Sequence, residues 1–126
     1  MILVDTNILI DYLRGVKKAE DFVQRQGKTN LAISTVVAME LYQGCLNRRE
    51  FATIRKELVG FNEIKLNKTV GEVALKLSEQ FAISHKMGVP DTLIAATALV
   101  YDLELRTYNL KDFSFILGIR VSNDLD

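Results

Sequence analysis

Cysteine, histidine and proline each occur once in these 126 residues, as Cys45, His85 and Pro90. A lone cysteine closes no intramolecular disulfide, and one cysteine with one histidine cannot assemble a Cys/His zinc cage. No uninterrupted apolar stretch approaches the roughly 18 residues that span a bilayer; the apolar opening MILVDTNILIDYLRG is already broken by Asp5 and Asp11. The basic, apolar, small order of a secretory leader is missing as well. A cytoplasmic protein, indifferent to reducing conditions, is therefore expected. Neither sign of charge prevails: 16 basic and 16 acidic side chains cancel. The totals thus show no permanently basic nucleic-acid surface and leave room only for local patches. Repeats, low-complexity tracts and linker-like stretches are also absent.

What is present suits one domain over residues 1–126, with 48% hydrophobic and 25% charged side chains. Ile2-Leu3-Val4 reads as a short buried strand that stops at Asp5. A helix over 6–14 ends at Gly15, and a second covers about 16–26. Leu31 to Ile33 is the next strand, with Ser34 or Thr35 placed to cap a helix running to about 46. A helix over 49–59 with Phe51, Ile54 and Leu58 inward, a strand over 61–66 and an amphipathic helix over 68–82 follow. A nearly all-apolar helix over 91–101 and strands over 103–107 and 119–121 complete the chain. Strands alternating with helices predict an α/β fold, a three-layer α/β/α sandwich around a central, mainly parallel sheet. Ligands in such folds sit beyond the carboxyl ends of the strands. That rule singles out Asp5.

Three acids stand where solvated surface acids do not. Asp5 follows a buried strand, Glu40 lies three and four residues after Val37 and Val36 on an apolar helix face, and Asp91 opens the helix DTLIAATALV. Each has a plain alternative: Asp5 or Asp91 as a helix cap, Glu40 as half of a buried ion pair. Should the three converge, two unit charges about 4 Å apart repel by about 4 kcal/mol at an effective dielectric near 20. A positive partner is then required. An all-oxygen donor set favours Mg²⁺ or Mn²⁺, and such a site suits phosphodiester hydrolysis. A strand followed by Asp also opens haloacid-dehalogenase-type phosphatases, but these need a second Asp two residues on, where Asn7 stands. Cys45 and His85 read as structural or surface residues rather than a nucleophile and its base.

Four separated segments, VDTNILIDYLRG, AISTVVAMELYQG, PDTLIAATAL and TYNLKDF, resemble the PIN domain, and more closely the VapC-type ribonuclease toxins of type II toxin–antitoxin systems. The resemblance runs over essentially the whole chain. It implies a metal-dependent endoribonuclease cutting single-stranded or loop RNA, with Asp5, Glu40 and Asp91 matching the family's first three acids. Asp5 and Asp91 would hold the metal, while Glu40 would bridge through water or accept a proton. The position of the fourth acid is Asn109, a neutral oxygen donor, and Asp112 three residues on offers the missing carboxylate. Thr6 and Asn7 are expected to orient Asp5 from behind by hydrogen bonds, or Thr6 merely to join the helix start, with Ser34 a further site hydroxyl or a helix cap. Arg14, Lys17, Lys18, Arg48 and Arg49 form a possible phosphate-contacting rim, or else ordinary solvated helix ends.

The resemblance further implies a homodimer and a cognate antitoxin. The antitoxin's C-terminal segment would lie between helices, with Tyr12, Leu13, Phe22, Leu41 and Tyr42 as candidate lining. A catalytically silent PIN-like binding module and a housekeeping PIN nuclease are the alternatives.

Overall fold

A computed structural model describes residues 1–126. Five strands, β1 (Ile2–Val4), β2 (Leu31–Ser34), β3 (Asn62–Ile64), β4 (Glu104–Arg106) and β5 (Val121–Ser122), form one sheet in the order β3-β2-β1-β4-β5. All four pairings are parallel. Parallel neighbours need crossovers, and helices supply them: α1 (Thr6–Leu13) and α2 (Lys17–Gln26) before β2, α3 (Thr35–Gln43) and α4 (Arg48–Leu58) before β3, α5 (Lys68–Phe81) and α6 (Val89–Val100) before β4. All four residues of β2 are buried. Successive strand side chains point to opposite faces, so this strand is covered on both, as a three-layer sandwich requires.

The local chemistry accounts for these elements. Asn47 and Asn67 cap α4 and α5 by accepting from the Glu50 and Val70 amides, both at 2.9 Å. Gly27 ends α2 at φ 81°, a left-handed conformation that costs glycine little. The apolar stripe expected on α5 is present, with Val70, Ala74 and Leu77 buried. On α6, Thr92 and the run Ile94–Ala98 are buried against α5 and α3.

Three expectations need correction. The last strand is Val121–Ser122 rather than 119–121, because it must pair Val121 with Leu105 and Ser122 with Arg106. Helix α6 begins at Val89, with Gly88 at its N-cap and Pro90 in its first turn, so Asp91 is helical and not a cap. Helix α4 buries no residue completely. Ile54 and Leu58 do pack against the core and Phe51 lies 4.7 Å from the Tyr42 ring, but α4 stands off at the periphery and leaves a groove.

Candidate active site

Strand register builds the site. Val4 pairs with Arg106, so the next residues on the two strands, Asp5 and Thr107, leave the sheet side by side. The Thr107 hydroxyl donates to Asp5 Oδ2 at 2.7 Å, across 102 residues of chain. The Thr6 amide donates to Asp5 Oδ1 at 2.8 Å, so Asp5 also serves as the N-cap of α1. Its side chain is almost wholly withdrawn from water, and burial pushes its pKa up despite these two bonds, aided by the charges of Glu40 and Asp112.

Thr6 does not orient Asp5 through its side chain. Its hydroxyl donates instead to Glu40 Oε1 at 2.7 Å, so one threonine ties the first acid, by its amide, to the second, by its hydroxyl. Glu40 is half-buried and takes no Arg or Lys partner, which removes the buried ion pair as its explanation. Asp91 projects from the first turn of α6. Its pKa is raised to about 6, first by burial and then by the charges of Asp5, Asp112 and Glu40. Four carboxylates from four segments therefore share one electrostatic neighbourhood. None of them forms a salt bridge, whereas Lys17, Lys28, Lys65, Lys68, Arg106 and Arg120 all pair with acids elsewhere.

The remaining candidates divide. Asn109 is exposed, and its amide N–H donates to the Thr107 hydroxyl at 3.1 Å. Asp112 is the residue of that segment whose charge reaches both Asp5 and Asp91. Ser34 accepts from the Val36 amide at 3.1 Å and so caps α3, with no bond to any of the acids. Asn7 carries the one buried side-chain polar atom without a hydrogen-bond partner, Oδ1. Thr107 carried no expected role in the sequence, although it lies within TYNLKDF.

No three acids close tightly enough on one point to cage an ion as they stand. The donor set nevertheless fits a hard divalent cation: only oxygen donors, mutual repulsion without an internal counter-charge, and an orphaned amide oxygen two residues from Asp5. Asp5, Asp91 and Asp112 are the residues that would hold it, with Glu40 tied to Asp5 through Thr6.

Beside Glu40 lies a groove of about 620 Å³ between α1, α3 and α4. Ile10, Leu13, Leu41 and Ile54 supply its apolar lining, with Tyr12 among them, and Arg14 and Arg49 stand among Glu20, Glu50 and Glu57. Two residues expected there lie elsewhere: Phe22 is completely buried in the core, and Tyr42 packs on Phe51. Arg48 sits 5.8 Å from the Phe51 ring, and Lys17 pairs with Asp21 at 3.2 Å, while Lys18 is an exposed helix-end residue. Cys45 donates to the Leu41 carbonyl, and His85 stacks on Phe115 with ring centroids 4.0 Å apart. No helix is long and apolar enough to cross a membrane.

Residues 2–114 match the PIN domain family. The chain is 37% identical over 115 residues to Ribonuclease VapC10 of Mycobacterium tuberculosis, covering 90% of this chain and 86% of that protein. It is 30% identical over 117 residues to Ribonuclease VapC19 of the same organism, covering 90% and 92%. Among solved structures, a toxin–antitoxin complex from Klebsiella pneumoniae superposes with a TM-score of 0.81 at 33% identity, covering 98% of this chain and 97% of that one. DNA-bound VapBC from Salmonella typhimurium shares the fold, with a TM-score of 0.85 at 22% identity and coverage of 97% and 98%. With its acids at the carboxyl edge of a parallel sheet and this match along nearly its whole length, the chain belongs to the PIN domain family.

Proposed function

We propose that this chain is a Mg²⁺- or Mn²⁺-dependent endoribonuclease, a VapC-like toxin held in check by a cognate antitoxin. The observation that carries the reading is the gathering of Asp5, Glu40, Asp91 and Asp112 with no basic side chain among them. A divalent ion bound there would supply Lewis-acid charge against the phosphate and against a proton of water. The chain's own residues do the rest. Thr107 and the Thr6 amide fix the Asp5 carboxylate in one orientation, leaving a lone pair on each oxygen for a cation. The Thr6 hydroxyl occupies Glu40 Oε1, so Oε2 is the atom available to take a proton from an attacking water. Asp91 is ionised above about pH 6, where its charge is available to the ion.

RNA as substrate follows from the ribonuclease relatives. An antitoxin as partner follows from the toxin–antitoxin complex of similar fold and from the groove, whose apolar floor leads to Glu40. A segment with apolar anchors and one basic side chain would fill the groove and neutralise the acids together. A homodimer and a cytoplasmic setting belong to the same reading. A catalytically silent module is the second reading, favoured by the neutral Asn109.

Cleavage of an end-labelled single-stranded RNA tests the proposal. Cleavage should require Mg²⁺ or Mn²⁺ and fall at least 100-fold in Asp5→Asn, as loss of a ligand predicts. Equal cleavage by wild type and variant would overturn the reading.

A further inference from the structure

The segment that carries Thr107 past Asp5 presents an aromatic ring next in sequence. Tyr108 is 37% exposed, and its hydroxyl donates to Asp11 Oδ2 at 2.9 Å. Asp11 lies one turn after Asn7 on α1, so the two share a face of that helix. Thr6, Ile10 and Leu13 mark a different flank: Thr6 bonds Glu40, and Ile10 and Leu13 line the groove. Tyr108, next in the chain to Thr107, therefore lies on a flank of α1 that the groove does not use. Desolvation and Asp11 hold its phenol protonated up to about pH 12, so the hydroxyl remains a donor at any working pH. The ring is thereby fixed from its far end while part of it faces solvent. Three residues on, Lys111 is exposed, and it takes part in none of the molecule's salt bridges.

A preset aromatic face and an uncommitted cation within the short segment that also carries Thr107 and Asp112 match what a single strand needs: stacking for a base, charge for the backbone. We propose that Tyr108 is the substrate-stacking residue of this site, receiving one unpaired nucleobase next to the scissile phosphate, with Lys111 contacting the adjacent backbone. This rests on the ribonuclease reading and names how its single-stranded substrate is seated. Discrimination by such a shelf is between unpaired and paired RNA rather than among the four bases, since every base has a π-face.

The chain has no tryptophan, so Tyr108→Trp introduces a single emitter at the proposed contact. In Tyr108→Trp combined with Asp5→Asn, which leaves RNA intact, a short single-stranded RNA should quench this emission saturably. The same strand with abasic sugars should leave it nearly unchanged. In the otherwise wild-type chain, Tyr108→Ala should raise KM for single-stranded RNA about tenfold with kcat within about twofold, and Tyr108→Phe should recover most but not all of that loss, since the ring remains while its bond to Asp11 does not. Quenching by abasic and normal RNA alike, no quenching, or a fall in kcat at constant KM overturns the proposal. The two readings separate cleanly: RNA cleavage without quenching or a KM change removes the shelf alone. Base-dependent quenching in a protein that never cleaves RNA removes the nuclease and keeps the shelf.

Discussion

Asp5 already accepts a hydrogen bond on each oxygen, and the two donors differ in what they do. The Thr6 amide would be present in any helix beginning there, but the Thr107 hydroxyl arrives from the neighbouring strand and sets the carboxylate's rotation. Thr107 is completely buried, and the same oxygen accepts from the Asn109 amide. Thr107→Val keeps the shape and removes both bonds, so it should lower stability by about 1–2 kcal/mol in urea melts and RNA cleavage by roughly 10- to 100-fold. Thr107→Ser should retain most of both. Asp91 allows a prediction with a sign. Its folded pKa of about 6 lies above the ordinary 3.8, so its contribution to stability is complete below about pH 3.8 and is lost as pH rises through about 6. A shift of two units corresponds to about 3 kcal/mol, halved here for a half-buried group that water screens. In EDTA at pH 7.5, Asp91→Asn should therefore melt roughly 4 °C above wild type, and the gap should close near pH 4. Added Mg²⁺ should stabilise wild type more than the variant; calorimetry across this pH range reads both effects. Asp5, Glu40 and Asp91 were legible in the sequence because each breaks the apolar pattern around it. Thr107 was not, because its partner lies 102 residues away and only the strand register brings the two together.

At the scale of elements, the end of the chain shows most plainly what a sequence pattern leaves out. Strand β5 has two residues, and its short pairing could not hold the tail by itself. Leu125 is 2% exposed, however, and two arginines from distant elements grip the backbone around it. Arg25 of α2 donates to the Leu125 carbonyl, and Arg106 of β4 donates to that of Asp124. Arg106 is itself held by Glu104 at 2.7 Å and lies 5.4 Å from the Phe22 ring. The tail is thus a strap closing the β5 side of the core. Leu125→Ala leaves a cavity beneath it and should cost about 2–4 kcal/mol, read as a lower urea midpoint with an unchanged slope. Cleavage per folded molecule should be unaffected, because none of the acids lies on β5 or the tail. The helices were legible within one to three residues, since amphipathic spacing and caps are local signals. The start of α6 was misplaced because Pro90 reads as a break, whereas proline in a first turn lacks only an amide hydrogen that no carbonyl would have received.

Across the whole molecule, a net charge of zero conceals a segregated distribution. Six cations sit in salt bridges away from the site, while the carboxyl edge of the sheet collects acids without partners, so the field there is negative although the total is neutral. The fold class followed from strand–helix alternation, since a parallel sheet has few other ways to cover both faces. Which apolar residues line the groove followed only in part: Tyr12, Leu13 and Leu41 do, but Leu13 and Phe22 have the same hydrophobic signature, and only the stand-off of α4 separates lining from core. That stand-off is braced, because Glu57 of α4 accepts from Tyr12 at 3.2 Å through Oε2 and from Lys28 at 2.6 Å through its carbonyl, while Phe51 packs on Tyr42. A groove braced in this way, with Glu20, Glu40, Glu50 and Glu57 against Arg14 and Arg49, would favour a basic, apolar-anchored partner. If the antitoxin fills it, Ile54→Lys should prevent capture by adding a charge to the apolar lining, and because α4 buries nothing completely the chain should still fold. Cells producing the Ile54→Lys chain should arrest whether or not the antitoxin is co-expressed, whereas antitoxin should rescue wild type. Binding of antitoxin to the purified wild-type chain should weaken as salt rises, since the groove's excess of acids acts through screened charge. Rescue of the Ile54→Lys chain as complete as that of wild type would place the antitoxin on another surface.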